Sequence, residues 1–264
     1  MGPHERWTAL LDILGRDGRL DVALAANELE VSAATIRRDL DHLAGQQLLS
    51  RTRGGAAPAS VAYDLPLRYK TGRHTEEKFR IGAAAAALIR PGSVVAVNGG
   101  TTTSEVARAL VTVPAQQDFD GLGDNPTFTV VTNALNIAND LAVRRNVKLV
   151  VTGGVARPSS YELIGPLAEP ALERLHLDYV VLGVDGFELR TGATAHHEGE
   201  AAVNALMVNQ ATTVVVVADS SKLGHRSFAR ICPTSAVDIL ITDTNADPDL
   251  VAAFVDADVR VIQA

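Results

Sequence analysis

The residues able to do chemistry fall into two groups. The first is a series of short polar stretches set into an otherwise apolar chain: Gly99-Gly100-Thr101-Thr102-Thr103-Ser104, Thr132-Asn133, Gly153-Gly154, Asp185-Gly186 and Asp219-Ser220-Ser221-Lys222. Gly-Gly-Thr-Thr-Thr-Ser just ahead of a helical pattern offers free backbone N–H groups and hydroxyls. That equipment suits an anion, above all a phosphate, at a helix N-terminus. Gly100, Thr101, Thr102, Asn133 and Gly153 are the candidate lining, Lys222 can add positive charge, and Asp185 and Glu198 can accept sugar hydroxyls. One glycine turn alone reads equally well as a tight loop; recurrence at several strand ends argues for a ligand site. The second group is arginine: Arg37-Arg38, then Arg51 and Arg53. Guanidinium groups suit guanine edges and DNA phosphates, although a pair of arginines is also an ordinary solvated helix face.

The elements around these residues decide between such readings. Trp7, Leu10, Leu11 and Leu14 form one apolar face of a first helix, which Gly15 and Gly18 are expected to end. Asp21 is placed to cap a second helix, Val22 to Glu28, with Leu24 and Ala25 on its buried side. Ser32 is placed to cap a third, running to about Ala44, with Ile36, Leu40 and Leu43 lining one face. Leu48 to Arg53 reads as a strand carrying Arg51 and Arg53 on one side, followed by a Gly54-Gly55 turn. Three short helices and a small hairpin, with arginines on the last helix and the hairpin, predict a winged helix-turn-helix head over residues 1–57. Residues 58–75 read as a connector with a short turn near Leu65 to Tyr69.

From Glu76 the pattern changes to a helix (to Leu88, with Phe79, Ile81, Ala83, Ala84, Ala87 and Leu88) and then to apolar strands alternating with helices. Strands are expected at 93–97, 127–131, 147–151, 179–184, 213–218, 237–242 and 259–262. Helices are expected at 105–110, 134–141, 167–174, 198–210 and 250–256. Continuously apolar strands separated by helices predict a mainly parallel α/β domain, covered on both faces, over residues 76–264. The polar stretches then fall at the carboxyl ends of the strands, where such sheets bind ligands. Residues 112–127 form a longer polar loop than the connection needs.

Composition narrows the function further. The chain has 264 residues, 47% hydrophobic and 21% charged, which excludes a disordered or fibrous protein. Its net charge of −7 argues superficially against nucleic acid. The sign is uneven, however: residues 1–80 hold 12 basic and 11 acidic side chains, residues 81–264 hold 12 and 20. A weakly basic head joined to an acidic body fits. No apolar run approaches membrane-spanning length and no signal peptide is evident, so the expectation is a cytoplasmic protein without membrane contact. A lone Cys232 excludes an internal disulfide and a cysteine metal cluster. His196-His197-Glu198 lacks a third ligand at metal spacing, so no metal is expected. Gly-x-Gly-x-x-Gly and the ATPase phosphate loop are missing, and no cofactor is expected.

The stretch Val31-Ser32-Ala33-Ala34-Thr35-Ile36-Arg37-Arg38-Asp39-Leu40, with Arg51-Thr52-Arg53-Gly54-Gly55-Ala56, strongly resembles the N-terminal signature of the DeoR family of bacterial transcriptional regulators. The large domain resembles that family's effector half through Gly100-Thr101-Thr102, Thr132-Asn133, Gly153-Gly154, Gly183-Val184-Asp185-Gly186, Gly192-Ala193-Thr194, Glu200-Ala201 and Ala218 to Gly224. Asn98-Gly99-Gly100 departs from it, standing where many relatives have an acidic or small residue before one glycine. The resemblance implies DNA-facing roles for Ser32, Thr35, Arg37 and Arg38, and an effector domain related in fold to ribose-5-phosphate isomerase and CoA transferases. It also implies a repressor of carbohydrate genes that binds double-stranded operator DNA, senses a phosphorylated sugar and works as a dimer or tetramer. Asp39, which would repel phosphate, is expected to cap or to pair with an arginine and orient it. Two rivals stand beside this reading. One is a sugar-phosphate isomerase or deaminase using Asp185, Glu198, Asp219 and Lys222. The other is a winged helix that binds protein, and an activator with a non-sugar effector is a variant of the main reading.

Overall fold

Residues 1–46, 48–57, 66–70, 74–113 and 126–264 are described by a computed structural model. The chain divides into two units, Met1–Arg73 and His74–Ala264. The 112–127 loop falls largely outside the described residues, as does most of the expected connector.

In the first unit α1 spans Pro3–Asp17, β1 Leu20–Asp21, α2 Val22–Glu28, α3 Ala33–Gly45, β2 Ser50–Thr52, β3 Gly55–Ala57 and α4 Leu67–Lys70. Capping follows local chemistry. The Asp21 carboxylate accepts the N–H groups of Ala23 and Leu24 at 2.7 and 3.1 Å, and Ser32 Oγ accepts Thr35 N–H at 3.1 Å. Only Gly18 ends α1, adopting φ 68° and donating to Leu14; Gly15 lies within the helix. Leu10, Leu11, Leu14, Ile36, Leu40 and Leu43 form the centre of the core. Leu24 does not join them: it is 70% exposed, and Val22 and Ala25 supply the buried side of α2. The expected single strand from Leu48 to Arg53 is shorter and pairs into a three-stranded antiparallel sheet of order β1-β3-β2. Gly54, at φ 90°, makes the turn. Gly55 is required for a different reason: a Cβ there would lie 1.7 Å from the Leu20 carbonyl oxygen. Tyr69, in the expected connector, is 2% exposed and packs in the core of this head.

The second unit contains α5 Thr75–Leu88, β4 Val94–Val97, α6 Thr101–Thr112, β5 Phe128–Thr132, α7 Leu135–Leu141, β6 Val147–Val151, β7 Val155–Arg157, β8 Glu162–Ile164, α8 Glu169–Leu172, β9 Leu177–Gly183, β10 Gly186–Glu188, β11 Gly192–Ala195, α9 Glu198–Gln210, β12 Ala211–Val217, β13 Ala229–Cys232, β14 Ile239–Thr242, α10 Pro248–Asp256 and β15 Arg260–Gln263. Seven strands form one parallel sheet, ordered β15-β14-β12-β9-β4-β5-β6. Alternate residues bury on opposite faces. Val180 and Leu182 of β9 pack in one layer with Met207 and Phe254, whereas Val181 packs in the other with Ile81, Val106 and Leu110. Two layers of helices therefore explain why the central strands carry apolar residues on both faces, as in Val94–Val97 and Val214–Val217.

Three sequence expectations shift. The helix expected at 105–110 begins at Thr101, which places the hydroxyl run in its first turn. Phe79 is 65% exposed; the buried face of α5 is Ile81, Gly82, Ala85 and Ala86. A run of five alanines carries no periodic signal, so tertiary packing set the register, with a Gly82 Cβ only 2.8 Å from the Glu105 backbone. The β7–β8 hairpin and the antiparallel sheet β10-β11-β13 had no counterpart in the reading, because their strands are only three or four residues long.

Candidate functional site

The first candidate surface is on α3. Its apolar stripe faces the core, while Arg37 and Arg38 are exposed, and among the described residues neither is held in a hydrogen bond or ion pair. Ser32 and Thr35 begin the helix, their hydroxyls 2.9 Å apart, so Ser32 is engaged in capping. Arg51 is also engaged: its Nε lies 2.9 Å from Asp41 and its Nη1 donates to the Gly55 carbonyl at 2.9 Å. It ties the hairpin to α3. Arg53 is exposed in the turn between β2 and β3. From sequence, Asp39 is expected to cap or to pair with an unspecified arginine. The partner is Arg6 of α1, whose Nε and Nη2 donate to the carboxylate at 2.5 and 3.1 Å, and Trp7 Nε1 adds a third bond at 2.8 Å. This clamp holds α3 against α1 and uses neither recognition-helix arginine.

The second candidate site lies at the carboxyl edge of the parallel sheet. From β4 the chain steps out through β5 and β6, then returns to β9 on the other side of β4. The ends of β4 and β9 are thus a topological switch point, where a crevice opens in folds of this kind. Asn98 bridges the two ends: its Nδ2 donates to the Gly183 carbonyl at 3.0 Å and its Oδ1 accepts Gly183 N–H at 2.8 Å. Gly100 then turns the chain into α6 with φ 146°, a conformation that favours glycine. Its carbonyl is pinned by Ser104 Oγ at 2.7 Å and Thr103 Oγ1 at 3.2 Å. Thr101 and Thr102 occupy the first turn of α6, where N–H groups have no intrahelical partner. Asn133 is fully buried; its Nδ2 donates to the Leu163 carbonyl at 3.3 Å and its Oδ1 has no partner.

A carboxyl cluster adjoins this loop; from sequence, Glu200 stands only as a family landmark and Glu162 is not named. Glu162 of β8 is 2% exposed and accepts Gly99 N–H at 2.6 Å. Glu200 of α9 is also buried and takes a hydrogen bond from Arg157 of β7 at 2.9 Å. Burial, then the charge of Glu200, pushes the Glu162 carboxyl up to about 8, with Asp185 adding to the rise and the Gly99 N–H opposing it. Glu162 therefore carries a proton near neutrality and can act as a donor. Asp185 anchors the segment beyond β11, its Oδ2 accepting His196 N–H at 3.0 Å.

The remaining predicted residues are placed differently. Glu198 is exposed at the first position of α9, and Glu200, one turn-face inward, is the buried carboxylate. Gly153 is a packing position: a Cβ there would lie 2.4 Å from the Leu167 carbonyl oxygen. Lys222 is half-buried in a single helical turn, Ser220–Lys222, after β12. Asp243 accepts Ser220 N–H at 2.6 Å and holds that turn. Burial pushes the Asp243 carboxyl up, but bonds from the Ser220 and Asn245 N–H groups outweigh it, leaving a net lowering. No hydrogen bond or ion pair joins Lys222 or Glu198 to the Glu162 cluster among the described residues. No cluster of metal-ligating side chains occurs among them either.

Residues 6–61 match the DeoR-like helix-turn-helix domain, and residues 73–244 match the DeoR C terminal sensor domain. The chain belongs to the DeoR family. It is a DNA-binding transcriptional regulator with a winged head and a C-terminal sensor domain. Among DeoR-type relatives it is 36% identical to the HTH-type transcriptional regulator GlpR of Haloferax volcanii, over 94% of this chain and 93% of that protein. It is 34% identical to the HTH-type transcriptional repressor GlcR of Bacillus subtilis, over 92% and 89%. It is 29% identical to the Glycerol-3-phosphate regulon repressor of Escherichia coli, over 92% of each chain. Solved structures are more distant. A translation initiation factor eIF-2B from Pyrococcus horikoshii OT3 aligns with TM-score 0.47 and 13% identity, over 90% of this chain and 86% of that one. Ribose 5 phosphate isomerase A from Neisseria gonorrhoeae aligns with TM-score 0.39 and 15% identity, over 56% and 53%. Within the matched sensor region of this DeoR chain, Gly100 adopts φ 146° and Gly183 is tied to Asn98 through its backbone N–H and carbonyl. No helix among the described residues is long and apolar enough to cross a membrane.

Proposed function

We propose that this regulator represses carbohydrate genes and leaves its operator when a phosphorylated sugar or polyol occupies the sensor domain. The observation that carries the reading is the Gly99-Gly100-Thr101 turn into α6 at the switch point, beside the buried Glu162. First-turn N–H groups of α6 receive the phosphate, with Thr101 and Thr102 hydroxyls beside them. Asp185 and the Glu162–Glu200 pair recognise hydroxyls. Lys222 supplies charge from the neighbouring strand end. On the head, Arg37 and Arg38 read bases or phosphates, Ser32 and Thr35 set the start of the helix on the backbone, and Arg53 reaches phosphate from the hairpin turn. Arg51 holds the hairpin in place. The regulator acts in the cytoplasm as a homo-oligomer, because paired heads match a symmetric operator and raise effective concentration. If the effector prefers the arrangement that does not fit DNA, occupancy shifts the population away from the operator.

The test is a thermal-shift screen of the full chain against phosphorylated sugars and polyols and their unphosphorylated parents. Glycerol 3-phosphate comes first, because one relative is named for its regulon. A ligand at 100 times its Kd stabilises by about 2.7 kcal/mol. A rise with one phosphorylated compound and not its parent is expected, and Thr101→Ala should abolish it. A flat response across the panel refutes the phosphate reading.

A further inference from the structure

The apolar stripe of α3, Ile36, Leu40 and Leu43, sets which side of the helix turns inward; directional bonds add the fine adjustment of its rotation about the axis. A second stripe, Asp39, His42 and Gln46, lies at helical spacing beside it. Every member is held. Asp39 takes the bonds from Arg6 and Trp7. The His42 ring stacks on Trp7, with centroids 4.1 Å apart and planes at 22°. The Trp7 indole also makes an edge-type contact with the His4 ring, centroids 5.0 Å apart and planes at 67°. Gln46 Nε2 and His42 Nε2 are 2.7 Å apart, and Gln46 Oε1 accepts the Tyr69 hydroxyl at 2.9 Å. That hydroxyl orients the amide: with Oε1 turned to Tyr69, Nε2 donates to His42, whose own proton then sits on Nδ1. Tyr69 is buried in the head, yet it belongs to α4 and precedes α5 of the sensor domain by only a few residues.

We propose that Tyr69 is a positioning residue for DNA recognition, setting the rotation of α3 through Gln46, His42 and Trp7. Through the Tyr69 hydroxyl, α4 thereby holds the recognition helix at its C-terminal end. A small displacement of α4 changes the Gln46 amide, releases the His42 ring and re-aims Arg37 and Arg38. This rests on those two arginines facing DNA, and the experiment separates the two ideas.

The wild-type full-length protein first selects its site from a random duplex pool. Affinity for that site and for a scrambled duplex is then measured for wild type, Tyr69→Phe, Gln46→Ala, the double variant and Arg38→Ala. Tyr69→Phe keeps the buried ring and removes only the hydroxyl, and Trp7 fluorescence confirms that the head is folded. The expected result is an operator-to-scrambled ratio lowered by about three- to tenfold, the value of one hydrogen bond, with scrambled affinity unchanged and the head's melting temperature lowered by a few degrees at most. Gln46→Ala should lower the ratio similarly, and the double variant should lose no more than either single. A merely structural role would weaken both duplexes together and leave their ratio at wild type; that outcome overturns the proposal, as do additive losses in the double variant. If Arg38→Ala instead leaves both affinities at wild type, the DNA-facing reading of the helix has failed independently.

Discussion

Asp39→Ala removes the one acceptor shared by Arg6 and Trp7, and its cost can be worked from the geometry. The Arg6 and Asp39 side chains are 12% and 8% exposed and their bonds run at 2.5 and 3.1 Å, so the pair is nearly desolvated. Removing one partner of a fully buried pair costs about 3–5 kcal/mol, because the other charge is stranded. Arg6 keeps some access to water and can partly rehydrate, which favours the lower end; the orphaned Trp7 N–H prevents it falling much further. We therefore expect a loss of about 3 kcal/mol. Trp7 is the only tryptophan in the chain, so its fluorescence during urea unfolding reports the head and not the sensor domain. With a slope near 1 kcal/mol/M for a unit this small, the midpoint should fall by about 3 M. Since the clamp orients α3, the surviving folded fraction should also discriminate less well between operator and scrambled DNA. A midpoint within about 0.5 M of wild type would refute the reasoning, showing that the clamp contributes no more than an exposed ion pair.

Other outcomes follow from the same structure. Arg37→Ala and Arg38→Ala should each weaken operator binding, by about 1–3 kcal/mol if the side chain reads a base, while effector-induced thermal shifts stay at wild type; equal loss of both functions would contradict this division. Glu162, raised to about 8 from an ordinary 4.5, keeps in the folded state a proton that the unfolded chain has released. Its contribution is whole below about 4.5 and fades as the pH rises through about 8, so sensor-domain melting temperature should decline across that window and decline less in Glu162→Gln. Burial pushes the Cys232 thiol up to about 11, so maleimide labelling should be slow in buffer and fast in urea; rapid native labelling would show the thiol is reached by solvent. Gly99→Ala places a Cβ 2.4 Å from Glu162 Cγ, and should lower the sensor melting temperature and weaken effector binding together.

The sequence alone determined the features whose causes are local. Asp21 and Ser32 cap their helices through bonds spanning two or three residues, so a cap followed by an apolar period suffices to locate α2 and α3. The apolar strands, the polar turns after them and the regulator signature were legible for the same reason. Where the periodic signal vanished, tertiary packing took over: the alanine run of α5 exposes Phe79, and α2 turns Leu24 outward. The candidate site was legible in its loops and not in its charges. Gly99 to Ser104 and Asp185 were found from residue type, but Glu162 and Arg157 lie on three-residue strands, and Glu200 on a helix, all brought to the loop from far along the chain. Whether a carboxyl keeps its proton, and whether Asp39 clamps Arg6 or an arginine of its own helix, depends on which distant groups share its low-dielectric surroundings. Composition and spacing specify which groups are available; only the folded chain decides which of them lose water together.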